Sequence, residues 1–131
     1  MPSEPRWLTP DELVVINRLE VAETGEPHAL VDRGLLESAA ARPKNHWHYE
    51  GVREIADLAA SLLDAVARNH PFEQGNKRTA ATGALVFASV NGHDWTLEDR
   101  GEYAEWILAL VQDELDRTAL ARLMRPHLKV R

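Results

Sequence analysis

Apolar residues recur along this chain with the spacing of helices far more often than with that of strands. The clearest run is Ile55, Leu58, Ala59, Leu62, Leu63 and Val66, at i, i+3, i+4, i+7, i+8 and i+11, which forms one apolar stripe on a helix from Val52 onward. Asn69 tolerates the left-handed conformation that ends a helix and Pro71 follows it, so the helix is predicted to stop there. Lys77 to Val90 is apolar on nearly every side (Ala80, Ala81, Ala84, Leu85, Val86, Phe87, Ala88), as a central buried helix would be, and Asn91-Gly92 ends it. Tyr103, Trp106, Ile107, Leu110 and Val111 repeat the stripe on a helix opened by Thr96-x-x-Asp99. A last short helix carries Leu120, Leu123 and Met124 and is stopped by Pro126.

Caps and breakers place the first part of the chain. Thr9, Pro10 and Glu12 supply an N-cap, a proline at the first helical position and the distal half of a capping box, predicting a helix to about Gly25. Asp32 is placed to cap a second, shorter helix through Leu35, Leu36 and Ala39, which Pro43 should halt because its ring clashes with the preceding turn. Lys44 to Gly51 then reads as a connector. No alternating strand pattern of useful length competes, and there is no internal repeat. The expectation is an all-α fold: one compact domain over 1–131, a bundle of about six helices.

A chain of 131 residues with 44% hydrophobic content suits one ordinary core. Its 15 Lys and Arg against 21 Asp and Glu, a net charge of −6 without a long like-charged block, disfavour direct nucleic acid binding, which needs clustered cations. A local anion site is still compatible with that balance. There is no cysteine, so disulfides, thiolate metal sites and cysteine nucleophiles are excluded. Met1 to Trp7 lacks the cationic start and apolar stretch of a secretory signal, and no later run could span a bilayer, so the expected location is cytoplasmic, without a membrane partner.

The chemistry concentrates in His70-Pro71-Phe72-Glu73-Gln74-Gly75-Asn76-Lys77-Arg78-Thr79. His70 ends one helix, Gly75 permits a tight turn, and Asn76-Lys77-Arg78 occupies the first turn of the next helix, where free N–H groups and the helix dipole favour an anion. Cations at that end oppose the dipole, which calls for an anion nearby. Gly75 lets backbone approach a phosphate, while Lys77 and Arg78 add charge and directional donors. His70, across the turn, is the side-chain type that takes a proton from a hydroxyl near neutral pH. Phe72 would point inward and anchor the loop. Taken alone, a histidine at a helix end is more often structural or simply exposed; the surrounding pattern favours function.

That segment resembles the Fic/Doc family, whose pattern is H-x-F-x-acid-small-N-(G or K)-R, here His70, Phe72, Gln74, Gly75, Asn76, Lys77 and Arg78. The likeness extends to Trp7-Leu8-Thr9-Pro10-Asp11-Glu12, to Asp32 through Ala39 with Ala41-Arg42-Pro43, and to the Ala-rich helix ending at Asn91-Gly92, and is similar to the death-on-curing branch. Lys77 stands where nucleotidyl-transferring members have Gly, and Ala81 where they have a second Arg. The resemblance therefore implies transfer of the γ-phosphate of ATP, with Mg2+, to a hydroxyl of a protein target, a translation elongation factor being the family's type target and growth arrest the outcome. It implies His70 as the base, Gly75, Asn76, Lys77 and Arg78 as phosphate and nucleotide contacts, and a cognate Phd-like antitoxin. Adenylylation by the same loop is the alternative reaction.

Gln74 departs from the pattern, since the family usually has Asp or Glu there to help hold magnesium. Gln offers a neutral carbonyl oxygen, so two readings stand: coordination mainly through ATP, with Glu73 as a substitute ligand, or a catalytically silent binding module. His46-Trp47-His48 is also open to two readings, a plain surface loop or, with His70, an imidazole metal site. By the resemblance, that connector is a flap over the site and Trp47 a substrate contact. Asp32, Arg33 and Glu37 read as capping and surface charge.

Overall fold

The structure, a computed structural model, describes residues 3–131. Among these residues six α-helices follow one another: α1 (Pro10–Glu23), α2 (Arg33–Glu50), α3 (Ile55–Asn69), α4 (Asn76–Val90), α5 (Arg100–Val111) and α6 (Arg117–Met124). The expected capping box opens α1, with Thr9 Oγ1 accepting from Glu12 N–H at 3.1 Å and Glu12 Oε1 accepting from Thr9 N–H at 2.9 Å. The all-α architecture is as the periodicity predicts.

The stripe on α3 is the centre of the core. Leu58, Ala59, Leu63 and Val66 are fully enclosed, and α2, α4, α5 and α6 all pack on this helix. Alanines and a serine fill the rest of its buried surface, which allows close approach from several sides. Behind the loop, α4 lies between α3 and α1 and buries Thr79, Ala80, Ala84, Phe87 and Ala88, the central position expected of it.

Pro43 does not halt α2. The helix continues through it to Glu50 and ends on Gly51 in the left-handed conformation, φ 69°. A mid-helix proline forfeits one hydrogen bond and costs about 3 kcal/mol. Here Leu36, Ala39, Ala40, Pro43, His46 and Trp47 all fall on one buried stripe, and their packing outweighs the defect. The expected connector from Lys44 is thus helical.

Two smaller departures concern the C-terminal third. Asp99, rather than Thr96, caps α5, its carboxylate accepting from Glu102 N–H at 3.2 Å. Thr96 instead donates both its N–H and its hydroxyl to the His127 carbonyl. Two three-residue strands, β1 (His93–Trp95) and β2 (Leu128–Val130), pair antiparallel, His93 opposite Val130, too short to leave a periodic signal. A 3-10 turn, Arg125–His127, joins α6 to β2.

Candidate active site

The loop between α3 and α4 is built by backbone pairing and by two asparagines. Phe72 is 2% exposed and forms an isolated antiparallel bridge with Leu30 in the α1–α2 connection. Pro71 O accepts from Val31 N–H at 2.8 Å and Glu73 N–H donates to Ala29 O at 2.9 Å, so the loop is zipped to that connection on both sides of the ring. The Phe72 ring is thus buried where the loop pairs with that connection. Its neighbour Asn76 closes the turn: Oδ1 accepts from Phe72 N–H at 3.0 Å, and Nδ2 donates to Phe72 O at 2.8 Å.

The same Nδ2 stands 3.3 Å from Nδ1 of His70. Because the amide nitrogen is the donor, Nδ1 is the acceptor, and the neutral ring carries its proton on Nε2. The imidazole is exposed and sits beside the side chain of Asn76, the first residue of α4. Its backbone is left-handed, φ 49°, ψ 53°, so it is His70, not Asn69, that ends α3 in this conformation. A non-glycine residue there carries roughly 1–2 kcal/mol of backbone strain. With its side chain bonded to Phe72, Asn76 has its backbone N–H left for an anion at the start of α4.

Gly75 is the N-cap of α4 at φ 75°. A Cβ there would meet Val21 Cγ1 at 2.9 Å, so the glycine is demanded by the left-handed turn and by close packing on α1. No side chain caps α4 and no acid lies in its first turn, whereas α1, α2, α5 and α6 are capped by Thr9, Asp32, Asp99 and Asp116. The first N–H groups of α4, like those of α3, have no side-chain acceptor among the described residues, the condition under which a helix start takes an anion. Lys77 is exposed, with no salt bridge among the described residues.

Arg78 is differently placed. Its guanidinium pairs with Glu26, donates to Thr24 Oγ1 at 2.9 Å and to the Glu20 carbonyl at 3.2 Å, all at the end of α1. The Thr24 hydroxyl and then Arg78 hold the Glu26 carboxyl below the usual range, so it is charged at neutral pH. A cleft of about 1060 Å³ between α1, α4, α5 and the segment after β1 reaches the motif through Lys77 and Arg78. Its far wall includes Leu85, Trp95 and Leu97.

Gln74 is exposed, and its side chain makes no hydrogen bond among the described residues; its backbone carbonyl accepts from Asn17 Nδ2 at 2.8 Å. An uncapped helix start with an adjacent lysine fits the phosphates of ATP. For Mg2+ the position offers one neutral oxygen, with Glu73 exposed beside it, so a magnesium ion would be held chiefly by phosphate oxygens.

The His46, Trp47 and His48 readings change with α2. Successive helical residues diverge around the axis. Trp47 is 7% exposed, packed edge-on against Trp7 and covered by Arg53 at 4.2 Å, which makes it a core residue and not a flap contact. His46 is buried against Ser61 and Arg117, while His48 is exposed and faces Glu4. Among the described residues no three His, Asp or Glu side chains converge as a metal site, so the imidazole cluster is not formed. Arg33 pairs with Asp11, and Asp32 caps α2 as expected.

Periodicity left Asn17, Thr24, Glu26 and His28 unremarked. One signal was present: Asn17 interrupts the apolar stripe of Leu13, Ile16 and Val21, where a polar residue needs buried partners.

Fold and loop together define an all-α domain whose exposed histidine faces an uncapped, lysine-bearing helix start. Residues 7–88 match the Fic/DOC family, and the chain belongs to it. It is similar to "Protein kinase doc" of Escherichia phage P1, 28% identical over 120 residues, 92% of this chain and 94% of that protein. It is also similar to "Toxin Doc" of Mycolicibacterium smegmatis, 44% identical over 62 residues, 47% of this chain and 48% of that one. No described helix is long and apolar enough to cross a membrane.

Proposed function

We propose that the chain is a Doc-type toxin that transfers the γ-phosphate of ATP to a hydroxyl of a protein target, in the cytoplasm, under control of a partner antitoxin. The observation that carries this is His70 Nδ1 held 3.3 Å from Asn76 Nδ2 at the start of uncapped α4. The names of the two relatives support toxin and kinase, and Lys77 and Ala81 at the branch-distinguishing positions favour phosphoryl over adenylyl transfer. A translation elongation factor remains the type target by family likeness.

When bound, ATP supplies the phosphoryl group and magnesium offsets its charge. The amides of Asn76, Lys77 and Arg78 would donate to its phosphate oxygens, and the Lys77 ammonium would add a point charge. Gln74 would offer its side-chain amide oxygen to magnesium. His70 takes the proton of the attacking hydroxyl through the Nδ1 lone pair; a 3.3 Å contact to an amide is weak enough for that hydroxyl to displace. The cleft beyond Lys77 has room and apolar wall for the nucleoside.

One observation favours a second reading, a silent binding module: the neutral Gln74 coincides with an Arg78 occupied by Glu26. ATP labelled at the γ or the α phosphate, incubated with a bacterial lysate and the chain or His70→Ala, separates the cases. Label from γ that depends on His70 is expected. Label from α overturns the kinase reading. No label from either, together with equal growth on expressing the native chain and His70→Ala, overturns the enzyme.

A further inference from the structure

Asn17 lies in the middle of α1 with 0% of its surface exposed. A buried amide is costly unless every polar atom is paired, and here every one is. Nδ2 donates to the Gln74 carbonyl at 2.8 Å and to Thr79 Oγ1 at 3.0 Å, and Oδ1 lies 2.6 Å from Nδ1 of His28. A carbonyl only accepts, so the amide nitrogen must face Gln74, the amide oxygen must face His28, and Nδ1 of His28 must donate. That hydrogen is present in the neutral Nδ1–H tautomer and in the cation, so the bond survives titration of the ring.

The two acceptors straddle the start of α4. Gln74 precedes the N-cap Gly75, while Thr79 lies one turn inside and donates its N–H to Gly75 O at 2.8 Å. Asn17 therefore holds the turn to α1 at two points that set its tilt, as Asn76 holds it to Phe72 and His70 on the other side. His28 also tilts against the Phe72 ring, centroids 5.9 Å apart, which links the clamp to the loop anchor. Neither Asn17 nor His28 belongs to the His70–Arg78 motif.

We propose that Asn17, oriented by His28, is a positioning residue for the transfer: it aims the open amides of α4 so that a phosphate they hold faces His70. This rests on the reading above that the loop binds a triphosphate.

Native and variant chains are compared in the labelled-ATP assay and, independently, by titrating inorganic tripolyphosphate against the amide resonances of Asn76, Lys77 and Arg78, with circular dichroism checking the fold. Asn17→Ala is expected to lower kcat on the order of 100-fold while weakening tripolyphosphate only about fivefold, since misaim costs rate more than binding. His28→Gln, whose amide can donate to Oδ1, should stay near native. His28→Ala should fall with Asn17→Ala, and the double variant no further. A folded Asn17→Ala with kcat within about twofold of native, or a His28→Ala loss that adds in full, overturns the proposal.

If Asn17→Ala does not fold, the histidine pair decides, and equal rates for His28→Gln and His28→Ala overturn it. If the native chain transfers no label yet binds tripolyphosphate, the reaction assigned above falls alone. The clamp then stands on weaker binding by His28→Ala, and unchanged binding overturns it. No binding by the native chain overturns both.

Discussion

Arg78 and Glu26 form an ion pair at the mouth of the loop, with Thr24 donating its hydroxyl to the same carboxylate. The carboxylate occupies the guanidinium that, on the function proposed above, an incoming phosphate would use. Removing that competitor should favour the ligand. Glu26→Gln is expected to tighten ATP binding about fivefold, with a steeper salt dependence, because Arg78 then meets the phosphates directly. Isothermal titration with a non-hydrolysable ATP analogue checks this, and unchanged affinity would show that Arg78 is structural.

His70 adopts φ 49° without being glycine. His70→Gly should slow transfer by a factor on the order of 10² to 10⁴. The same change should stabilise the fold by about 1 kcal/mol, raising the midpoint by roughly 3 to 5 °C. Loss of activity with a lower melting temperature would mean that the left-handed backbone carries no strain.

Gly75→Ala puts a Cβ 2.9 Å from Val21 Cγ1 on a backbone at φ 75°. The expected cost is about 2 kcal/mol in urea unfolding. Adding Val21→Ala relieves the contact but not the dihedral, so rescue should be partial. Full rescue would assign the whole effect to packing.

Gln74 is exposed and its side chain makes no hydrogen bond among the described residues, so Gln74→Asp should leave stability within about 0.5 kcal/mol of native. It adds a charged oxygen where magnesium is expected, and should raise the transfer rate at low magnesium about tenfold. A rate and magnesium dependence identical to native would show that the position does not touch the metal.

His46 is buried, its ring meeting Ser61 Oγ at 2.7 Å and Arg117 Nη1 at 2.6 Å through Nδ1, with Glu50 at 3.3 Å from Nε2. Burial, then Arg117, lowers its pKa below the ordinary histidine value. The unfolded chain therefore takes up the proton first as pH falls. This contribution is complete above the unfolded pKa of about 6.5 and is lost as pH drops from there toward the folded value. Burial of His28 acts in the same direction. Urea midpoints should fall between about pH 7 and pH 5, and His46→Gln should flatten that slope. A native profile that is flat or rises on acidification would contradict the buried neutral ring.

Much of this architecture was legible along the chain because it rests on local rules. Thr9 and Glu12 cap α1 through bonds between residues three apart, and the Ile55–Val66 stripe needs only the helical period to be recognised. Local rules misread α2, since Pro43 breaks an isolated helix but not one whose far half is buried on α3. Misreading the helix carried His46, Trp47 and His48 with it.

His70, Gly75 and the start of α4 follow from residue type and spacing: an imidazole at a helix end, a glycine able to turn left-handed, and free amides where a helix begins. Which groups those elements meet was decided only in three dimensions. Asn17 reaches Gln74 and Thr79, and Glu26 reaches Arg78, across separations of fifty residues and more. Pairings of that kind depend on how α1 docks against α4, and docking is set by the shapes of two buried faces together, which neither segment carries by itself.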